Sequence, residues 1–321
     1  MEVRGLGNSG LFVSRLGLGT MTWGRDTDIH EARDQFNLYY DAGGRLIDTA
    51  DVYADGMSEE IVGELLREHP DMIVSTKAGS VRGARRRDAS RTHLIDALDA
   101  SLRRLRRTHI DVWNIHAWDS HTPLEETLST IDYAINSGRV RYAAISNYSG
   151  WQLARAARTQ ELHAMSSPLV AAQMEYSLVQ RGIEREVIPA AIAHGLGIVA
   201  WSPLGRGVLT GKYRHATPPD SRAASAHFAS FVTPYLAERP RAIVDAVCMA
   251  ADGLGLTAID VALSWLTARP QVSSAIVGAR TAAQLRAILT SQEAELPREI
   301  YEALDEVSAP DKGYPEFGWN Q

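Results

Sequence analysis

The sequence reads MIVSTKA at residues 72–78, HLIDALDASLRRLRR at 93–107 and IDVWNIHAW at 110–118. The first and third stretches are short apolar runs with the length of buried strands. In the second stretch leucines recur at helical spacing, at Leu94, Leu98, Leu102 and Leu105, which predicts an amphipathic helix. A strand, a helix and a strand in this order are typical of a parallel sheet whose strands are joined by helices.

The same alternation extends over most of the chain. Eight apolar runs have strand character, at 15–21, 45–50, 72–78, 110–118, 140–146, 169–176, 197–203 and 272–279. Helical patterns lie between them, such as TLSTIDYAINSG (127–138), which Gly138 ends as a C-cap. Eight strand–helix pairs in a chain of this length predict an α/β fold, a (β/α)8 TIM barrel. Because no linker is visible, we expect one barrel domain over residues 1–321.

Near the N-terminus, GLGNSG (5–10) matches the G-x-G-x-x-G fingerprint of dinucleotide-binding βαβ units. That fingerprint is informative only where it opens a helix, and the residues that follow, LFVSRLGLG, alternate and are broken by glycines. We therefore interpret NSG as the turn of a β-hairpin in which Asn8 and Gly10 take positive φ. This predicts a hairpin across the N-terminal end of the barrel, away from any cofactor.

Two segments stand outside the repeating pattern. Residues 205–236 are rich in glycine, proline and small residues before a helix begins near Leu236, and a loop of this length is a candidate lid over a site. Further on, PREIYEALDEVSA (297–309) places Ile300, Leu304 and Val307 on one helical face. We expect this extra C-terminal helix to pack on the outside of the barrel.

Composition limits the possible partners. A net charge of −6 and a pI of about 5.9 argue against a nucleic-acid or membrane surface. The single cysteine, Cys248, rules out internal disulfides, and its apolar neighbours favour a buried helix thiol over a reactive one. Without a basic-then-apolar leader or an apolar run of about 18 residues, we expect a soluble cytoplasmic protein.

Chemistry in a barrel lies at the carboxyl ends of its strands. There the sequence has Asp48 and Tyr53 after the second strand, Lys77 in the third and His116 after the fourth. Each alone also fits a structural role, as a helix cap, a half-buried aromatic, a rim lysine or a strand histidine. Together they can polarise and protonate a carbonyl group. A nearby ammonium lowers the pKa of the tyrosine hydroxyl, a carboxylate holds the ammonium in place, and the imidazole orients the carbonyl. Because such a site has no hydride of its own, reduction needs a reduced nicotinamide cofactor.

The chain resembles the aldo-keto reductase superfamily, in the branch that contains potassium-channel β subunits and bacterial general aldo/keto reductases. The motifs that carry the resemblance follow in family order and cover nearly the whole chain: DTADVYADGMSEEIVGELL (48–66), TKAG (76–79), HAWD (116–119), ISNYS (145–149), QMEY (173–176), WSPLGRGVLTGKY (201–213) and IVGARTAAQL (276–285). The resemblance implies that Tyr53 is the general acid, that Lys77 and Asp48 tune it, and that His116 orients the substrate.

The resemblance also implies residues that bind NADPH or NADP. Amide and hydroxyl groups hold the carboxamide, an aromatic ring stacks on the nicotinamide, a loop binds the pyrophosphate, and a guanidinium beside a helix N-terminus favours the 2′-phosphate and hence NADP over NAD. The residues that hold the carboxamide are Ser146, Asn147 and Gln173, and the stacking ring is Trp201. The pyrophosphate loop contributes Ser202, Leu204, Gly205, Lys212 and Arg222, and the 2′-phosphate site contributes Gly278, Arg280 and Gln284.

Two positions depart from the family pattern. Ala287 and Ile288 stand where the family usually has Glu-Asn around the adenine, so adenine recognition is weaker or apolar and strict NADP preference stays open. Ala54 replaces the glycine that commonly follows the catalytic tyrosine, and we expect a side chain this small to be tolerated there.

Other kinds of site fit less well. His116, Asp119 and His121 suggest a metal, but 116 and 119 have opposite strand parity and no further histidine joins them, so no metal is expected. A glycosidase needs two facing carboxylates, and the seventh strand ends in WSPL without one.

The substrate is expected to be a small carbonyl compound in a pocket walled by Trp23 and Trp118. The run RGARRRD (82–88) reads as a solvated loop; if it faces the barrel mouth, it favours an anionic or nucleotide-linked ketone. The main hypothesis is an NADPH-dependent carbonyl reductase. Its rivals are a cofactor-bound regulatory subunit with slow turnover and a nucleotide-sugar ketoreductase. The sequence leaves the oligomeric state undetermined.

Overall fold

The computed structural model describes residues 1–81, 87–163, 167–214, 216–218, 222–224, 229–291, 294–311 and 313–314, without the side chain of Arg222. Eight parallel strands form a closed barrel. They are β3 (Leu16–Gly19), β4 (Leu46–Asp48), β5 (Ile73–Ala78), β6 (Ile110–Ile115), β7 (Val140–Ser146), β8 (Leu169–Glu175), β9 (Gly197–Trp201) and β10 (Val272–Val277). Each lies inside one of the eight predicted runs, which confirms the (β/α)8 barrel.

Helices follow the strands and cover the barrel. They are α1 (Ile29–Asp41), α2 (Met57–Leu65), α3 (Arg91–Leu105), α4 (Leu124–Asn136), α5 (Gly150–Leu162), α6 (Val187–Ala193), α7 (Ala229–Val232), α8 (Glu238–Leu254), α9 (Ala258–Thr267), α10 (Ala282–Thr290) and α11 (Arg298–Val307). In α3 the predicted apolar stripe is buried at Leu94, Leu98 and Leu105, while Leu102 is half-buried at its margin.

The strands pair in chain order from β3 to β9, and β10 closes the barrel between β9 and β3. The closing register sets Ala275 beside Leu16 and, on the other side, beside Ala200. Every residue of β6 and β10 is buried, because helices cover the outside and side chains fill the inside. Because all eight strands are parallel, their carboxyl ends surround a single opening, the mouth of the barrel.

The N-terminal hairpin exists as predicted, but its turn differs. Strands β1 (Val3–Gly5) and β2 (Phe12–Ser14) pair antiparallel. The left-handed backbone is taken by Gly7, with φ +57°, and not by Asn8 or Gly10, the two residues expected to tolerate it. Gly7 is pressed against the barrel floor, where a Cβ would lie 2.3 Å from the carbonyl oxygen of Val170. The hairpin thus closes the amino end of the barrel, opposite the mouth.

Several outer features follow the sequence and two correct it. Cys248 is buried in α8, and that helix begins at Glu238, close to the predicted start. Of the segment 205–236, the described residues include 3-10 turns at Gly205–Thr210, Arg222–Ala224 and Thr233–Leu236 and the short helix α7. On α11 only Leu304 of the predicted face is fully buried, and Val307 is 43% exposed because it lies in the last turn.

Within the ranges just given, no single helix is long and apolar enough to cross a membrane; α8 and α9 meet the criterion only as a pair bent by 104°. The described residues also contain no group of three His, Cys, Asp or Glu side chains placed to hold a metal ion. Of the run RGARRRD, residues 82–86 lie outside the described part of the chain.

Candidate active site

The barrel mouth brings together the four groups predicted from the strand ends. Asp48 is the last residue of β4, Lys77 lies near the end of β5, and the backbone amide of His116, just beyond β6, donates to the carbonyl of Ala78. Tyr53 begins a 3-10 turn after β4. The parallel pairing of β4, β5 and β6 makes these ends neighbours.

Asp48 and Lys77 form a buried ion pair. The Lys77 Nζ lies 2.6 Å from Asp48 Oδ2 and also donates to the Thr49 carbonyl at 2.7 Å. The other carboxylate oxygen, Asp48 Oδ1, accepts hydrogen bonds of 2.8 Å from Ser75 Oγ and from Gln173 Nε2. Both oxygens of a buried charge are thus satisfied, as a stable buried carboxylate requires.

The ammonium also touches the tyrosine. Lys77 Nζ lies 3.4 Å from the Tyr53 hydroxyl. Burial lowers the pKa of Lys77, but Asp48 and Tyr53 outweigh it and the pKa is raised, so the ammonium stays charged. Burial raises the pKa of Tyr53, and Lys77 opposes that rise without cancelling it. The sequence correctly predicted that Lys77 lowers the pKa of Tyr53. The net lowering of that pKa which it implied is wrong, because desolvation of the phenolate is the larger contribution.

The imidazole of His116 lies beside the tyrosine, with ring centroids 6.1 Å apart and the planes nearly perpendicular. Burial, together with the charges of Lys77 and Arg87, lowers the pKa of His116 to about 3. The ring is therefore neutral at physiological pH. Its Nδ1 is buried with no hydrogen-bond partner among the described residues.

A strained turn holds the tyrosine. Three successive residues after it, Ala54, Asp55 and Gly56, have φ values of +47°, +59° and +92°. For a residue with a Cβ this conformation costs about 1–2 kcal/mol. Ala54 is thus tolerated, as expected, at a backbone that favours glycine.

These groups line a cavity of about 660 Å³, a volume typical of cofactor and small-molecule sites. The predicted residues that line it are Asp48, Tyr53, Lys77, His116, Ser146, Asn147, Gln173, Trp201, Ser202, Leu204, Lys212, Gly278, Arg280 and Gln284. Lining residues that the sequence analysis did not single out include Thr20, Met21, Thr22, Arg206, Gly207, Thr210 and Phe231.

Next to Asp48, Tyr53, Lys77 and His116, the predicted carboxamide-binding groups form one hydrogen-bond network. Ser146 Oγ donates to the Gln173 carbonyl at 2.8 Å. Asn147, with φ +57°, donates through Nδ2 to the His116 carbonyl and accepts through Oδ1 from Trp201 Nε1 at 3.1 Å. These contacts fix the Trp201 indole relative to His116.

An arginine that the sequence reasoning missed organises the wall beside Trp201. The Arg206 guanidinium binds Glu175 through Nε at 2.7 Å and Nη2 at 2.5 Å, and its Nη1 donates to the Phe231 carbonyl. It lies 3.6 Å over the Phe231 ring, which is stacked in turn on Trp201. One signal was available: Arg206 lies inside the segment predicted to bind the cofactor.

Two cationic residues also belong to the cavity wall. Lys212 and Arg280 line it, and Arg280 directly precedes Thr281, whose side chain caps α10. The Arg280 backbone amide donates to Gln284 Oε1 at 3.0 Å. The apolar side chains of Ala287 and Ile288 also line the cavity.

Three of the predicted residues do not line the cavity. Gly205 is buried, and a Cβ there would lie 2.5 Å from a Val179 methyl, so its role is to allow close packing. Trp23 is fully buried and donates to Gln35 of α1 at 3.1 Å, which corrects its assignment as a pocket wall. Trp118 packs instead against Tyr148 and Trp151. The side chain of Arg222 lies outside the described residues.

The donors along the cavity fit a dinucleotide. The cavity wall has a flat aromatic surface at Trp201, the amides of Asn147 and Gln173, which bond to His116 and Asp48, and the cations Lys212 and Arg280. The orphaned, buried Nδ1 of His116 is the kind of polar atom that a ligand satisfies. Aromatic and amide groups near the reacting centre and cations near a helix N-terminus suit a nicotinamide and its phosphates.

Comparison with known proteins agrees with this geometry. The family model described as Aldo/keto reductase family matches residues 15–309. A probable voltage-gated potassium channel subunit beta of Arabidopsis thaliana is 36% identical over 294 residues, 89% of each chain. A rice protein of the same description is 34% identical over 96% of each chain. The uncharacterized oxidoreductase YrpG of Bacillus subtilis is 33% identical, again over 96% of each chain.

Proposed function

The chain belongs to the aldo/keto reductase family, and we propose that it is an NADPH-dependent reductase that converts an aldehyde or ketone to an alcohol. The observation that carries this proposal is the position of Lys77 Nζ, 2.6 Å from Asp48 and 3.4 Å from the Tyr53 hydroxyl in the cavity wall. A tyrosine in contact with a lysine ammonium is a proton donor whose conjugate base is stabilised in place.

Tyr53 acts as the general acid in this proposal. Its raised pKa keeps the proton on the hydroxyl at neutral pH, which a donor requires. When the carbonyl oxygen takes that proton, the Lys77 ammonium stabilises the phenolate left behind, and Asp48 keeps the ammonium in position. Neutral His116 donates its single ring N–H to the carbonyl oxygen and so orients it, because at a pKa of about 3 it holds no second, acidic proton to transfer.

NADPH, when bound, supplies the hydride that adds to the carbonyl carbon. Trp201 offers its face to the nicotinamide, with its indole fixed by Asn147 at 3.1 Å. Lys212 and Arg280 bind the phosphates, and Arg280 at the start of α10 selects for the 2′-phosphate. The apolar surface of Ala287 and Ile288 accepts the adenine without hydrogen bonds.

A second function has one observation in its favour. Two of the relatives are described as probable channel β subunits, which favours a cofactor-bound regulatory protein with slow turnover. The complete set of Asp48, Tyr53, Lys77 and His116 in hydrogen-bonding or ring contact favours the enzyme.

Single-turnover oxidation of bound NADPH distinguishes the two. The purified protein is mixed with a stoichiometric amount of NADPH and then with aldehydes, ketones and nucleotide-sugar ketones, while absorbance at the nicotinamide band is followed. Oxidation by at least one carbonyl class, absent without the carbonyl, supports the reductase. Stable NADPH with every compound would refute it in favour of the regulatory subunit.

A further inference from the structure

We propose that Glu59 and Arg104, which line no part of the cavity, are positioning residues for Tyr53. Their ion pair links the turn that follows Tyr53 to the strand that carries Lys77, and so maintains the contact between the two side chains. This inference rests on the proposed function, in which that contact makes Tyr53 an acid.

The Glu59 carboxylate is completely buried and both its oxygens are bound. Oε2 accepts from Arg104 Nε at 2.7 Å and Nη2 at 2.6 Å. Oε1 accepts from Thr76 Oγ1 at 2.6 Å. Thr76 is the neighbour of Lys77 on β5, so the carboxylate is tied directly to the strand that carries the ammonium.

On its other side the pair supports the tyrosine turn. Gly56 approaches Arg104 so closely that a Cβ on Gly56 would lie 2.8 Å from Arg104 Cδ and 2.9 Å from Nε. The arginine backbone is fixed as well, because a Cβ on Gly63 of α2 would lie 2.3 Å from the Arg104 carbonyl oxygen. The guanidinium is thus a rigid support beneath the turn.

The turn needs that support. Ala54, Asp55 and Gly56 all have positive φ, a conformation that persists only where the surroundings impose it. The distance it determines leaves little tolerance, since Lys77 Nζ and the Tyr53 hydroxyl are 3.4 Å apart, at the long end of a hydrogen bond. Relaxation of the turn would therefore break the contact between Lys77 and Tyr53.

Titration of Tyr53 can report this positioning, because the groups that shift its pKa are known. Burial raises it, Lys77 lowers it, and the carboxylates Asp48 and Asp51 raise it, while the His116 ring lies 6.1 Å away. Arg104 is not among these direct influences. Its charge reaches Tyr53 indirectly, through Asp51, whose pKa Arg104 lowers, so variants that keep the charge are needed to isolate the effect of position.

The experiment compares Arg104→Gln, Glu59→Gln and Gly56→Ala with the full-length wild type, and uses Arg181→Gln as the matched control. Arg181 is likewise an arginine held in an ion pair, bound to Glu184 at 2.8 Å and to Ser308, and it does not line the cavity. Gly56→Ala displaces the guanidinium without changing charge, and Arg104→Lys tests rescue. Gly56→Ala and Arg104→Lys keep both charges, so they still test the proposal if Arg104→Gln or Glu59→Gln folds poorly.

The readouts are kcat, KM, NADPH affinity, the pH profile and the ¹³Cζ resonance of Tyr53, assigned with Tyr53→Phe. In the test variants we expect kcat to fall on the order of 10²-fold, since small misplacements of a reacting group cost that much. KM and NADPH affinity should stay within about threefold, as for an interaction made only in the transition state. The alkaline limb of the pH profile of kcat should move up by about one pH unit, because Tyr53 loses its contact with the Lys77 ammonium that lowers its pKa. Arg104→Lys should recover part of kcat.

The resonance of Tyr53 at pH 8 should shift in the test variants and stay in place in Arg181→Gln, and this readout needs no activity. The proposal is overturned if the test variants behave like the control, with lower thermal stability but unchanged kcat, alkaline limb and resonance. A wild-type protein that reduces no carbonyl refutes the proposed function, while the resonance still decides the positioning role.

Discussion

The buried ion pair between Asp48 and Lys77 gives a prediction about stability that is separate from catalysis. Lys77→Met leaves the Asp48 carboxylate, 4% exposed, with hydrogen bonds from Ser75 and Gln173 but no opposing charge. Removing one partner of a buried pair typically costs about 3–5 kcal/mol. Asp48→Asn leaves the ammonium with the Thr49 carbonyl as its main acceptor and should cost a similar amount.

The double variant, Asp48→Asn with Lys77→Met, should be more stable than the sum of the two losses predicts. Both charges are then absent, and replacing a whole buried pair by neutral groups is often close to neutral in stability. We therefore expect a coupling free energy of at least about 2 kcal/mol between the two positions, at the upper part of the range for residues in contact.

The assay is equilibrium urea unfolding at pH 7.5, followed by far-UV circular dichroism and tryptophan fluorescence, for the wild type and the three variants. Carbonyl reduction should be lost in all three variants, including the stabilised double variant. If the double variant is destabilised by the full sum of the single losses, Asp48 and Lys77 do not act as one unit and the description of the pair is wrong.

Three further predictions concern the cofactor, the tyrosine turn and pH. Arg280→Ala should weaken NADPH binding about 10- to 100-fold and NADH binding little; equal losses in fluorescence titrations would refute the 2′-phosphate role. Ala54→Gly should raise the free energy of unfolding by about 1 kcal/mol, because φ is +47° there; a lower unfolding midpoint in urea would contradict this. Burial and Glu59 raise the pKa of Asp51 to about 7, so this carboxyl makes the fold less stable as pH rises from about 4 to 7. Asp51→Asn should therefore be more stable than the wild type by up to about 4 kcal/mol at pH 8 and equal to it at pH 3.5, measured by thermal unfolding at both values.

The barrel could be predicted from sequence because its signals are local. A strand covered on both sides is an apolar run, and the helix after it carries its own periodicity, as Leu94, Leu98 and Leu105 show. Convergence of Asp48, Lys77 and His116 then followed from one rule, that parallel strands in a barrel end at the same mouth. Neither step requires knowledge of how distant side chains pack.

The errors concern contacts between segments distant in sequence. Gly7 takes the left-handed conformation because it is pressed against Val170, which no pattern in GLGNSG reveals. Trp23 points toward Gln35 of α1 and away from the cavity. The net pKa of Tyr53 depends on how deeply the phenol is buried, and a list of charged neighbours does not give that depth.

The most direct test of the central claim is a single-turnover comparison of the wild type with Tyr53→Phe. Each protein, saturated with NADPH, is mixed with the best aldehyde from the panel, and the decay of nicotinamide absorbance is followed by stopped flow. We predict that the variant binds NADPH with unchanged affinity and that its rate of NADPH oxidation falls by at least about 10²-fold, the loss expected for a general acid. A variant that keeps most of the wild-type rate would contradict the assignment of Tyr53 as the proton donor.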